Sequence, residues 1–183
     1  MRLLFLCFCF ALLCSFLSGC SHEEPKDVSV PRTLKAGAVQ LKEVKAKGLV
    51  NLIGKQQGKV VVVDFWATTC PVCMAKFPKL LQLQKAYGKD KVTCISASVD
   101  PKPRMNAAFA FLKNHQAKIP NVLLDTSDET YRMHCNFVVI PTVFVYDKNG
   151  VKVLQTNDID EADRKVETLV TKDDTPATKP KEE

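Results

Sequence analysis

Cys70 and Cys73 enclose two residues, Pro71 and Val72, in a C-x-x-C unit. Two cysteines at this spacing can close a small disulfide ring. When reduced, they can attack a foreign disulfide and then resolve the mixed product, which is thiol–disulfide exchange. The attacking species is a thiolate. A helix N-terminus favours one, because unpaired backbone N–H groups and the positive end of the helix dipole lie there. Pro71 suits the first helical position, where its missing N–H costs nothing. Cys70, just ahead of the helix, is therefore the expected nucleophile. Cys73, one turn further on, is the expected resolving thiol.

Other uses of such a pair make different demands. A structural zinc site needs two further ligands, usually a second close pair. Cys94, His134 and Cys135 are isolated in sequence from Cys70 and Cys73. A c-type haem site needs histidine directly after the second cysteine, and residue 74 is Met. A structural disulfide would not need a strand-to-helix position. No metal and no cofactor are expected.

The elements that would hold the pair can be read on both sides of it. Lys59 to Trp66 contains Val60-Val61-Val62-Val63, a β-branched run suited to a strand buried on both faces. Cys73 to Tyr87 follows with Phe77, Leu80, Leu81, Gln84 and Tyr87 at helical spacing. Gly88 marks its stop, and Pro78 inside it predicts a kink. Lys91 to Val99 reads as a second strand, Met105 to Gln116 as a second helix and Asn121 to Leu124 as a third strand. Asp128 to Cys135 reads as a short helix. Val39 to Ile53 reads as a short strand and then a helical stretch. Thr142 to Tyr146 and Val151 to Leu154 flank Asp147-Lys148-Asn149-Gly150, a hairpin signal. Glu161 to Val170 reads as a closing helix. Alternating strands and helices with a terminal hairpin predict an α/β fold with a central mixed sheet flanked by helices.

Outside this region the composition changes. Arg2 precedes an apolar run from Leu3 to Leu17, which reads as an export signal. It ends in Leu17-Ser18-Gly19-Cys20, which resembles the bacterial lipoprotein signal box. That resemblance implies cleavage before Cys20 and lipid on its thiol. Cys7, Cys9 and Cys14 would leave with the signal. Cys70, Cys73, Cys94 and Cys135 would remain, outside the cytoplasm, where disulfides persist. The expected organisation is a signal peptide over 1–19, a lipid-anchored tether over 20–38, a domain over 39–171 and a disordered tail over 172–183. The chain of 183 residues carries a net charge of +6, with lysines scattered rather than clustered. A nucleic-acid role is therefore not expected.

The ordered motifs together resemble the thioredoxin superfamily. Val63-Asp64-Phe65-Trp66-Ala67 leads into the C-x-x-C as in that family's active-site approach. Pro78 matches its helix proline, Ile140-Pro141-Thr142 its cis-proline loop and Asn149-Gly150 its hairpin turn. The long stretch between Asp100 and Pro141, with Phe109, Pro120, Asp125 and Phe137, is similar to the TlpA/ResA/DsbE branch of membrane-anchored envelope oxidoreductases. An insertion between the second core strand and the cis-proline hairpin is expected on that ground.

The resemblance implies a reductase of disulfides in exported proteins, with a role in cytochrome c maturation in view and a membrane reductase of the DsbD or CcdA kind as electron donor. It implies that Asp64, buried at the end of the Val run, accepts a proton from Cys73; the alternative is a solvated strand end. It implies a cis Pro141, with the backbone at Ile140 pairing with substrate as an added strand. Ile140, Pro141 and Trp66 are the expected substrate-binding residues, Trp66 packing beside the site. Cys94 is expected to be a core thiol and His134 a surface residue. Cys135 is either a packing residue or a second redox thiol.

Three departures bear on direction. Thr69 stands where tryptophan commonly precedes the first cysteine, and Lys76 where some members have glutamate. Asp64 is closer to classical thioredoxin than to much of the branch. Oxidase and isomerase roles stay open. A thiol peroxidase would resemble Thr-x-x-Cys, but residue 67 is Ala. A copper-delivery protein would resemble Cys-x-x-x-Cys, one residue longer.

Overall fold

The computed structural model describes residues 32–127, 135 and 139–171. The strands are β1 (Thr33–Ala36), β2 (Val39–Val44), β3 (Val60–Trp66), β4 (Val92–Ser98), β5 (Asn121–Leu124), β6 (Thr142–Tyr146) and β7 (Lys152–Thr156). The helices are α1 (Ala46–Gly54), α2 (Pro71–Lys91), α3 (Met105–Asn114) and α4 (Ile159–Thr171), with a 3₁₀ turn at Lys102–Arg104 before α3. The seven strands form one sheet in the order β1-β2-β5-β4-β3-β6-β7.

β3 lies inside the sheet, parallel to β4 and antiparallel to β6. All seven of its residues are buried, as are all seven of β4. That explains the unbroken apolar runs: a strand covered on both faces has no solvent side to make polar. Alternation divides β3 between two cores. Val60, Val62 and Trp66 join Phe77, Leu80 and Leu83 of α2, Leu112 of α3 and Val166 of α4. Val61, Val63 and Phe65 join Leu49 and Ile53 of α1, Phe144 of β6 and Cys135. Each large side chain sealed this way contributes about 1.5–3 kcal/mol. The Phe65 and Phe144 rings meet edge to face at 4.9 Å.

α2 starts as the sequence predicts, with Pro71 in its first turn. Its helical dihedrals run through Pro78 and break at Gly88, where φ is 72° and ψ 161°. The break falls at the glycine expected to stop the helix, which tolerates positive φ without a Cβ penalty. The β6–β7 hairpin turns where expected: Gly150 has φ 78°, and Asp147 Oδ1 accepts from Asn149 N and Val151 N, both at 2.9 Å.

β1 is a strand the sequence reading placed inside the tether. It pairs antiparallel with β2 at the sheet edge, Thr33 opposite Lys42. The helix expected over Asp128 to Cys135 falls outside the described residues except for Cys135, and His134 and Phe137 fall outside them too. Between β4 and Pro141 lie α3 and β5, and β5 enters the sheet between β2 and β4. No helix among the described residues is long and apolar enough to cross a membrane.

Candidate active site

β3 delivers the chain to the carboxyl end of the sheet at Trp66, and α2 leaves from the same place. Cys70 is the N-cap of α2 in an extended conformation, φ −108° and ψ 96°. Its Sγ accepts from the backbone N–H of Cys73 at 3.2 Å, so an unpaired helix donor points at the sulfur. That contact and the helix dipole both favour negative charge on Cys70. Cys70 and Cys73 are joined in a disulfide, with their Cα atoms 5.3 Å apart. Cys70 is partly exposed, whereas Cys73 is 2% exposed. The first thiol can therefore meet a partner from outside, and the second can meet only the first.

The Ile140–Pro141 peptide bond is cis. β6 begins directly after it, with Thr142 opposite Phe65 of β3. The proline loop therefore reaches the sheet at the end where Trp66 hands the chain to Cys70. Ile140 and Pro141 are both partly exposed. Val72, between the two cysteines, is 55% exposed, and Val139, before Ile140, is 59% exposed. Both apolar side chains flank the dithiol and the proline loop without a covering partner among the described residues. Each of the two elements thus leaves an apolar side chain at the surface.

The Redoxin family matches residues 31–172, which is most of the chain and all of the described part. The chain belongs to the Redoxin family. Among its relatives, thiol-disulfide oxidoreductase ResA of Geobacillus kaustophilus is 28% identical over 118 residues. That match covers 64% of this chain and 66% of ResA, just under two thirds of the relative's length. Sporulation thiol-disulfide oxidoreductase A of Bacillus subtilis is 21% identical over 139 residues, covering 75% of this chain and 78% of that one. A solved thioredoxin domain of a Bacteroides vulgatus thiol-disulfide oxidoreductase superposes with a TM-score of 0.56 at 24% identity, over 64% of this chain and 83% of that domain. The fold is thioredoxin-like, and the relatives to which this redoxin is similar are thiol-disulfide oxidoreductases.

Asp64 of this redoxin is buried, at 6% exposure, on the face of β3 that carries Val62 and Trp66. Loss of solvation raises its carboxyl from an ordinary 3.8 to about 7. Cys73 packs in the same cluster as Val62 and Trp66. An acid able to change protonation near neutrality therefore lies on the sheet face that α2 covers. Lys76 is turned to Asp158 ahead of α4, with Nζ 3.6 Å from Oδ1.

Trp66 departs from its expected substrate-binding role. The indole is fully buried, donates from Nε1 to Ser96 Oγ at 2.8 Å and packs on Phe77 and Phe111 at 5.3 and 4.9 Å. A side chain sealed in this way supports the site from beneath and touches no docking partner. Cys94 is fully buried as a core thiol; burial first, and then the Asp64 charge, push its thiol well above the ordinary range. Cys135 is 3% exposed in the core on the α1 side of the sheet, and burial pushes its thiol up to about 11. That favours packing over a second redox thiol, since neither thiolate character nor access is present.

Two residues of this end of the molecule escaped the sequence reading. Asp100, 1% exposed, accepts from Thr68 N, Thr68 Oγ1 and Ser98 Oγ at 2.9, 2.7 and 2.9 Å. Asn157 donates from Nδ2 to Pro141 O at 2.6 Å and to Thr142 Oγ1 at 3.3 Å. Each is a polar residue just after a strand, a pattern that reads as an ordinary turn.

Proposed function

We propose that this redoxin is a thiol–disulfide oxidoreductase that works as a reductase of disulfides in exported proteins. The observation that carries the reading is the Cys70–Cys73 pair at the N-terminus of α2, one sulfur partly exposed and the other buried. In the reduced enzyme the Cys70 thiolate attacks one sulfur of the substrate disulfide. A Cys70–substrate disulfide forms, and the other substrate sulfur leaves as a thiolate. Cys73 then gives its proton to Asp64 and attacks Cys70 Sγ. The Cys70–Cys73 disulfide forms and the second substrate thiolate departs. Two electrons have passed to the substrate, and the enzyme is oxidised.

Asp64 suits the second step by position and by protonation. No bulk base reaches a thiol that is 2% exposed, and a carboxyl near 7 is matched to proton transfer near neutrality. Substrate backbone pairing with Ile140 beside the cis Pro141, over the apolar rim of Val72 and Val139, suits capture of an extended chain. Re-reduction calls for a membrane dithiol donor, of the DsbD or CcdA type in the resembling branch. Leu17-Ser18-Gly19-Cys20 supports lipid attachment at Cys20, which would hold the domain at an envelope membrane on a short tether. Apocytochrome thiols are one substrate class consistent with this setting.

Direction is tested by equilibrating the purified protein with glutathione or dithiothreitol buffers. A reductase should settle below about −200 mV, nearer thioredoxin than the strong envelope oxidants near −120 mV. A potential close to the oxidants would turn the reading to oxidase. Anchoring is tested by fractionating cells that carry Cys20→Ala. Release of the protein, or accumulation of an uncleaved precursor, is expected. Unchanged anchoring of a normally processed product would overturn the lipid anchor.

A further inference from the structure

The segment between β3 and α2 is four residues, Ala67, Thr68, Thr69 and the N-cap Cys70, and its first three set where Cys70 stands relative to its helix. Thr69 is exposed and Thr68 is partly so. What secures the segment is the end of β4. Val99 N donates to Trp66 O at 2.8 Å, joining the two strand ends. One residue on, the buried Asp100 carboxylate uses both oxygens on Thr68: Oδ2 accepts from the backbone N–H at 2.9 Å and Oδ1 from the hydroxyl at 2.7 Å. Asp100 is itself fixed. Ser98 Oγ donates to Oδ2 at 2.9 Å and accepts from Asp100 N at 3.2 Å. Arg104 closes the outer side, its Nε donating to Thr68 Oγ1 at 3.0 Å and lying 3.4 Å from Asp100 Oδ1.

The restraint passes along the chain to the sulfur. Thr68 held on both its N–H and its hydroxyl fixes the neighbouring Ala67 carbonyl, which accepts from Cys70 N at 3.0 Å. Cys70 in that pose aims Sγ at the Cys73 N–H. A buried carboxylate that accepts three hydrogen bonds and has an arginine beside it is well satisfied, so the arrangement is rigid rather than incidental.

We propose that Asp100 is a positioning residue for the nucleophile, clamping Thr68 so that Cys70 Sγ stays aligned with the N-terminus of α2, with Arg104 as the outer half of the clamp. The role rests on the proposed nucleophilic function of Cys70. It predicts that loosening Thr68 makes the Cys70 thiol less acidic without touching either cysteine.

Reduced protein carrying Thr68→Val, Thr68→Ser or Asp100→Asn is alkylated with iodoacetamide from about pH 4 to 10, and the Cys70 adduct is followed by mass spectrometry. Thr68→Val should move the midpoint upward and slow Cys70 alkylation at neutral pH by roughly three- to ten-fold, the effect of about one net hydrogen bond. Asp100→Asn, where it folds, should do the same or more, and Thr68→Ser should restore the wild-type profile. Folding of each variant is checked by cooperative thermal unfolding. A wild-type midpoint and rate in folded Thr68→Val would overturn the clamp, whether or not Asp100→Asn folds. Failure of Thr68→Ser to restore the profile would overturn it equally. Absence of disulfide reduction by the wild-type protein would remove the proposed function instead, and the alkylation profiles would still judge the clamp.

Discussion

Asp64 and Cys73 belong to one layer of the molecule: Asp64 alternates with Val62 and Trp66 on β3, and Cys73 packs against both of those residues' cluster from the first turn of α2. The carboxyl has lost its water and stands near 7. Such a group is costly to the fold when charged and useful to a thiol that must lose a proton out of reach of solvent.

Asp64→Asn should leave Cys70 able to form the mixed disulfide and slow its resolution. A loss on the order of ten-fold or more is expected for a missing general base. Stopped-flow turnover of a small disulfide checks it, and wild-type rates would remove Asp64 from the mechanism. The stability effect has the opposite sign. A carboxyl raised from 3.8 to about 7 stays protonated in the folded protein while the unfolded chain ionises. The folded state then binds more protons, so stability falls as pH climbs between those values and levels off above the upper one. Asp64→Asn removes this loss. Urea unfolding should show the variant more stable than wild type near pH 8, on the order of a few kcal/mol, and the gap should close toward pH 4.

Alkylation of the reduced protein should be ordered. Cys70 is the partly exposed thiol at the helix N-terminus, while Cys73, Cys94 and Cys135 are 2%, 0% and 3% exposed. Mapping of iodoacetamide adducts at short times and neutral pH should find Cys70 first. Preferential labelling of any of the other three would contradict the assignment.

Most of the frame that holds the dithiol is written in local sequence. The β-branched run Val60 to Val63 suits a strand covered on both sides, and Pro71 and Gly88 mark the start and the break of α2. The dithiol itself is legible because its spacing and its strand-to-helix position carry the chemistry. β1 was not legible: Thr33–Ala36 is four residues on a sheet edge, and its existence depends on pairing with β2. Asp100 and Asn157 were not legible either, because their partners lie in distant segments, Thr68 and Pro141. The role of Trp66 was misjudged for a related reason. An indole near a site can face outward or inward, and the partner that draws it inward, Ser96, lies 30 residues away on β4.

Trp66→Phe tests that inward role. The ring volume is partly kept, the Nε1 donor is lost and the buried Ser96 hydroxyl loses its partner. A destabilisation of about 1–3 kcal/mol is expected in urea unfolding. The KM for a peptide disulfide should stay close to wild type in the folded variant. A large rise in KM with no change in stability would return Trp66 to the substrate surface.

Val139→Asp tests the apolar rim. Val139 is 59% exposed beside the Ile140–Pro141 bond, so the change places a charge where a docking chain would lie, with little effect on the core. KM for a peptide disulfide should rise several-fold. Reduction of a small hydrophilic disulfide, which needs no docked chain, should proceed at nearly the wild-type rate. Equal losses on both substrates would show that Val139 matters to the dithiol rather than to docking.

The central claim is that Cys70 attacks and Cys73 resolves. Reduced Cys73→Ala and Cys70→Ala proteins are each mixed with a peptide disulfide, and their intact masses are followed over time. Cys73→Ala should accumulate one peptide adduct, mapped to Cys70 and released by dithiothreitol, while Cys70→Ala should accumulate none. A stable adduct on Cys73 in the Cys70→Ala protein, or turnover by Cys73→Ala at the wild-type rate, would contradict the assignment of the two thiols.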